Sequence, residues 1–159
     1  MRQLLDPYRE LGLALGTMGT QMHMGHVLLG LIHACQHAFG NTWHRHVQII
    51  DWSIMQREFE CHEEGGHQLY IVVLHTITPA HWSVLAVRGI DFQALLYDGK
   101  RLEQHSELAE VVYCALEEML SFTAVRPIGH LKSPYQEDNW SCGHRLIMAI
   151  EILLQQGFH

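Results

Sequence analysis

The spacing of apolar residues along this chain changes period several times. In QMHMGHVLLGLIHACQHAF, Val27, Leu28, Leu31, Ile32 and Cys35 recur at helical intervals, which predicts a helix. HVQIIDWSIMQREF fits strand and helix equally. CHEEGGHQ is polar, holds Gly65-Gly66 and reads as a loop. LYIVVLHTI is β-branched and nearly continuous, as in a strand buried on both faces. HWSVLAV and FQALLYD follow as strands, with RGID between them. ELAEVVYCALEEML is an amphipathic helix whose stripe is Leu108, Val111, Val112, Ala115, Leu116, Met119 and Leu120. TAVRPI reads as a further strand and GHLKSPYQEDNW as a loop. SCGHRLIMAIEILLQQ is a last helix, closed by Gly157. Residues 1–20 carry only short apolar patches and turn glycines. These elements predict one α+β domain over residues 1–159, with a mostly antiparallel central sheet packed by helices.

Composition narrows the function classes. The 159 residues are 48% hydrophobic, which suits one compact core. The net charge of -7 and the scatter of the 10 Lys and Arg argue against nucleic acid as a partner, because phosphate binding needs a basic patch. The longest apolar run falls far short of a membrane span. The start MRQLLDPYRELGLALGTMG has polar and acidic residues where a secretory signal needs an apolar core. Cys35, Cys61, Cys114 and Cys142 form no CxxC pair. An intracellular location, nucleus or cytoplasm, is therefore expected. The 14 histidines raise the question of a metal. His33 and His37 stand four apart, with His44, His46, Cys61, His62 and His67 beyond them. No HExxH or paired CxxC accompanies them, so no metal and no other cofactor is expected.

The residues with chemical promise lie in the second half. If RGID is a two-residue turn centred on Gly89 and Ile90, Arg88 lies opposite Asp91 and His81 opposite Asp98. A carboxylate beside an imidazole fixes its tautomer and stabilises the imidazolium, though an ordinary cross-strand ion pair fits as well. Cys142 opens the last helix, with Ser141 at the N-cap position. Leu146, Ile150 and Leu153 share its face, which turns the thiol toward the sheet. Helix N-termini and nearby cations lower a thiol pKa from about 8.5, so Cys142 is either a nucleophile or a packed core thiol. Gly143 permits close approach of another chain. Gln136 is either an oxyanion donor or a surface loop residue. Glu137 and Asp138 either attract a basic segment or form a solvated loop. Trp140 either shapes a cleft or anchors its loop, and Trp43 and Trp52 are core candidates.

His-Trp opening one strand, Asp closing the next, then Gln and Cys-Gly six residues later is similar to the SUMO-protease-like (ubiquitin-like-protein-specific) cysteine proteases, which share a catalytic arrangement with the adenoviral protease. The matching stretches are YIVVLHTITPAHWSVLAV, FQALLYDGK and QEDNWSCG, within about residues 68–156. The resemblance implies a papain-like or adenain-like α+β architecture. It also implies that His81 is the general base, Asp98 its orienter, Cys142 the nucleophile and Gln136 an oxyanion-hole residue. Trp82 matches the tryptophan that covers the Gly-Gly tail of the substrate.

There are departures from the pattern. The family opens its N-terminal helix with a Trp-Leu-Asn-Asp type motif. Here MHMGHVLL puts Met22 in the tryptophan position and Gly25 in the acidic one, and Ser141 replaces the usual Asp before the cysteine. The implied function is hydrolysis after the tail of a ubiquitin-like modifier of the SUMO, ubiquitin or NEDD8 class. The alternatives are a polyprotein-processing protease, an acetyltransferase of the same clan, and a non-catalytic binder of such modifiers.

Overall fold

The computed structural model describes residues 22–52 and 66–159. Residues 1–20, the Cys61–Gly65 part of the expected loop and the second half of HVQIIDWSIMQREF lie outside that range. The described elements are helix α1 (Met24–Phe39), a 3₁₀ segment (Gly40–Arg45), strands β1 (Val47–Asp51), β2 (Leu69–Ile77), β3 (Ala80–Arg88) and β4 (Ala94–Tyr97), helix α2 (Glu103–Leu120), strand β5 (Gly129–His130) and helix α3 (Cys142–Gln155).

The strands form one sheet in the order β1-β2-β3-β4-β5. Its long central pairings, β2 with β3 and β3 with β4, are antiparallel. The short outer strands β1 and β5 pair in parallel, so the sheet is mixed at its edges. The ambiguous stretch after His46 is thus a strand as far as Asp51.

Strand alternation divides the core in two. Leu69, Ile71, Val73, Trp82, Val84, Ala86 and Tyr97 face α1 and α3, meeting Leu31, Leu146 and Ile150. Tyr70, Val72, Leu74, Leu85, Val87 and Leu96 face α2, meeting Ala109, Val112, Tyr113 and Leu116. Helix α3 ends as expected, with Gly157 at φ 78°. The N–H of Phe158 donates to the carbonyl of Leu153, and that of Gly157 to the carbonyl of Leu154, as in a Schellman motif.

Three expectations need correction. The β3–β4 connection is a four-residue loop, Gly89–Phe92, because Val84 pairs with Tyr97 and Val87 with Ala94. The Arg88 N–H donates to the Gln93 carbonyl, and Phe92 takes the positive φ of 58°. Gly89 is needed for a different reason than a turn dihedral: a Cβ there would lie 1.9 Å from the His67 carbonyl oxygen. Arg88 still meets Asp91, with Nη2–H donating to Oδ2 at 2.7 Å. Secondly, TAVRPI contains no strand; pairing begins at Gly129, within the expected loop. Thirdly, Val111 is 59% exposed, and the buried stripe of α2 runs through His105, Ala109, Val112, Tyr113 and Leu116. The other expected stripe residues, Leu108, Ala115, Met119 and Leu120, are partly buried along its flanks.

The two sides of α2 should respond differently to mutation. Leu116→Ala leaves a cavity under the sheet and is expected to cost about 2–5 kcal/mol. Val111→Ser is expected to stay within about 0.5 kcal/mol of wild type. Denaturant midpoints at constant slope measure both.

Candidate active site

Beyond Tyr97, strand β4 stops while β3 continues back to Ala80, so His81 has no β4 residue paired with it. Asp98 occupies the turn that follows β4. His81 Nε2–H donates to Asp98 Oδ1 at 2.5 Å, and both side chains are buried. The two-residue change in register leaves this contact intact, because an even shift keeps every side chain on its face.

Asp98 is held from three directions. Besides His81, its Oδ1 accepts the Lys100 N–H at 2.9 Å, and its Oδ2 accepts the Leu102 N–H at 2.7 Å. Leu102 is the cap residue of α2, so the carboxylate also lies at the positive end of that helix. Burial raises the Asp98 pKa, but these hydrogen bonds and the His81 charge outweigh it and hold the carboxyl below its ordinary 3.8. For His81, burial favours the neutral ring. Hydrogen bonds to Asp98 and Cys142 outweigh that and push the imidazole from 6.5 up to about 9. His81 Nε2 is committed to Asp98, and Cys142 is the second group whose interaction raises the ring's pKa.

Cys142 is 2% exposed at the first position of α3 and belongs to the core that faces α1 and α3, so the thiol does point toward the sheet. Ser141 holds the N-cap position but makes no capping bond. Its Oγ–H donates instead to Asp138 Oδ2 at 2.8 Å, and its oxygen accepts Arg145 Nε–H at 2.9 Å. Asp138 organises the approach to the helix. Its Oδ1 accepts the backbone N–H groups of Trp140 at 3.0 Å and Ser141 at 2.7 Å. Burial opposes ionisation of Asp138, yet the Ser141 and Trp140 hydrogen bonds win and lower its pKa.

Gln136 is buried rather than on the surface. Its backbone N–H donates to the Gly99 carbonyl at 2.7 Å, next to Asp98. Its side-chain Nε2–H donates to the Asp138 carbonyl at 2.9 Å, while Oε1 is buried without a hydrogen-bond partner. A Cβ at Gly99 would lie 3.0 Å from that Oε1, so a larger residue there would push the Gln136 carboxamide aside by a few tenths of an ångström.

Met22, Trp82 and Gly143 converge beside the thiol. Trp82 Nε1–H donates to the Met22 carbonyl at 3.2 Å, and His75 stacks on the indole at 3.8 Å. The close approach that Gly143 permits is that of Met22, whose Sδ would lie 3.0 Å from an added Cβ. Gly25 has open space around it. Trp140 is outside this cluster; it is half-buried and meets the His144 ring edge-on at 5.3 Å. Trp52 is core, and Trp43 packs partly against the other cluster. His33 and His37 are exposed on α1, with Cys35 buried between them and its thiol pushed up to about 12 by burial. Among the described residues, no group of three or more His, Cys, Asp or Glu is placed to hold a metal ion. Nor is any described helix long and apolar enough to cross a membrane.

Two contributors are not evident from spacing alone. Asp138 sits in a D-x-x-S sequence, an Asx-type signal that is also common in solvated loops. His105 lies beneath His81, and its only signal is being in phase with the apolar stripe of α2.

No protein-family model matches this chain, and no curated protein matches it by sequence. Solved structures do match. A structure described as a de-sumoylating protease has a TM-score of 0.54 at 11% identity, over 81% of this chain and 59% of that one. The SUMO protease Ulp1 with its catalytic cysteine oxidised to a sulfonic acid has a TM-score of 0.51 at 11% identity, over 95% of this chain and 84% of that one. AvrA delL154 with IP6 and CoA has a TM-score of 0.51 at 14% identity, over 98% of this chain and 60% of that one. This chain therefore spans about three-fifths of the first of these proteins. The fold is that of the SUMO-protease-like cysteine proteases, an α+β architecture.

The raised imidazole and lowered carboxyl predict how stability depends on pH. The His81 contribution is complete below pH 6.5 and is lost as pH rises through about 9. The Asp98 contribution is complete above 3.8 and is lost as pH falls through its lowered value. In Asp98→Asn, the NMR titration midpoint of the His81 ring is expected to move from about 9 down toward 6.5. An unmoved midpoint would show that Asp98 does not hold the charge.

Proposed function

We propose that this chain is a thiol protease that cleaves the peptide or isopeptide bond after the C-terminal tail of a ubiquitin-like modifier, acting inside cells. The observation that carries this reading is the buried bond from His81 Nε2–H to Asp98 Oδ1 at 2.5 Å, made by an imidazole whose pKa both Asp98 and Cys142 raise. The fold shared with the SUMO proteases supports it.

In this reading the Cys142 thiol gives its proton to His81 Nδ1, and the sulfur attacks the scissile carbonyl carbon. The oxyanion meets the backbone N–H of Cys142 and the Gln136 carboxamide. Both Gln136 Nε2 hydrogen bonds go to Asp138, to its carbonyl at 2.9 Å and to Oδ1 at 3.4 Å, and in this reading the longer one is exchanged for the oxyanion when substrate binds. His81 gives its Nδ1 proton to the leaving amine as the C–N bond breaks, leaving a thioester. It then takes a proton from water, which attacks the thioester and releases Cys142. Asp98 keeps the Nε2–H tautomer through both halves.

The AvrA match favours a second reading, because that structure is described with CoA and aligns over 98% of this chain. In it, Cys142 takes an acetyl group from acetyl-coenzyme A and passes it to an amine.

Wild type and Cys142→Ala are to be incubated with C-terminal electrophiles of SUMO, ubiquitin and NEDD8 and weighed by mass spectrometry. The protease reading expects an adduct with one modifier, absent in Cys142→Ala. Folded protein that reacts with a small alkylator but with none of the probes would overturn it, and acetylation from acetyl-coenzyme A would establish the second reading. On the protease reading, Gln136→Ala is expected to lose about 2.7–4 kcal/mol of transition-state stabilisation. Wild-type turnover in that variant would remove Gln136 from the oxyanion hole.

A further inference from the structure

His105 is a fully buried histidine in the first turn of α2. Both of its ring nitrogens are engaged. Nε2 lies 2.8 Å from Thr76 Oγ1, and Nδ1 lies 2.5 Å from Ser83 Oγ. The Thr76 hydroxyl hydrogen is already committed, donating to the Pro79 carbonyl at 2.8 Å. Thr76 therefore accepts from His105 Nε2–H. That leaves Nδ1 with a lone pair, which accepts from the Ser83 hydroxyl. The bonding pattern selects one neutral tautomer and has no place for a second ring proton.

The His105 ring stands nearly perpendicular to that of His81, at 80°, with centroids 4.8 Å apart. Asp98 fixes one end of the His81 ring through a single hydrogen bond, which leaves rotation about that axis open. A rigid ring packed at right angles closes it.

We infer that His105 is a positioning residue, a fixed neutral imidazole that sets the plane of the His81 ring and keeps its Nδ1 directed at Cys142. The inference rests on the protease reading only for the role of turnover; the orientation itself is a property of the free protein. Neutrality matters because a second imidazolium at this distance would repel the His81 cation. The titratable groups that act on His105 are His81 on β3, Asp98 past β4 and, from the opposite face of β2, His75. Burial first, then the charges of His81 and His75, hold His105 down at about 4 against the opposing pull of Asp98.

Two measurements test this. In wild type, ¹⁵N NMR of the rings is expected to show His105 as the neutral Nε2–H tautomer across neutral pH. Titration near 6.5 or the opposite tautomer would overturn the inference. The second compares His105→Ala with His105→Phe, which restores a neutral ring without the hydrogen bonds. The pH profile of Cys142 alkylation by iodoacetamide is expected to shift in His105→Ala and to return in His105→Phe. On modifier substrates, His105→Ala is expected to lower kcat at least about tenfold with KM unchanged, as for a small misplacement of a catalytic group. A folded His105→Ala with wild-type alkylation, or equal impairment in both variants, would show the residue to be merely structural. If the modifier probes fail but alkylation follows the expected pattern, the positioning role stands and only the protease reading falls.

Discussion

The Asp98 carboxylate is the constraint around which this end of the molecule is built. It receives hydrogen bonds from β3 through His81, from its own turn through Lys100, and from the entrance to α2 through Leu102. A buried carboxylate is costly unless its oxygens are satisfied, and here both are. The same bonds end β4, start α2 and hold the imidazole. Gly99, the next residue, accepts the backbone N–H of Gln136. Displacing Asp98 would disturb the strand end, the helix start and two candidate catalytic residues together.

The sheet separates the partners, and the shortness of β4 reunites them. Alternation along β3 puts His81 and Ser83 on the side of α2 and Trp82 on the side of α3. Cys142 belongs to the α3 side. Had β4 continued in register past Tyr97, another strand residue would lie beside His81 and separate the layers. The chain turns at Asp98 instead. An imidazole rooted in one layer then reaches a thiol rooted in the other at the end of the sheet.

Much of this was legible in the sequence because it depends on period and parity. The continuous apolar run gave β2 to the residue, and the helical stripes gave α1, α2 and α3. The His81–Asp98 contact followed from an assumed two-residue turn that the structure replaces with four residues. It survives because the error is even, and an odd one would have put the two side chains on opposite faces. What periodicity could not supply were interactions specific to tertiary context. Gly89 serves the His67 carbonyl, distant in sequence. Val111 lies at the edge of the α2 stripe, where one residue's rotation decides between core and water. TAVRPI has strand-like residues but no strand beside it. Asp138 and His105 look ordinary until the atoms they bind are known.

Low sequence identity with a retained fold raises the question of what is held constant. At the wall beside the thiol this chain relies on a backbone contact. Trp82 binds the carbonyl of Met22, and any residue at that position offers the same carbonyl. The chain is therefore positioned there whichever side chain it carries. A thioether with three rotatable bonds also packs on Gly143 more adaptably than a flat indole would. The neighbouring substitution follows the same logic. Ser141 stands where an acid is usual in the resembled family, but the carboxylate near the helix start is supplied by Asp138, which binds the Ser141 N–H and hydroxyl. Both departures change a side chain while the hydrogen bonds that place Trp82 and Cys142 are made by other atoms.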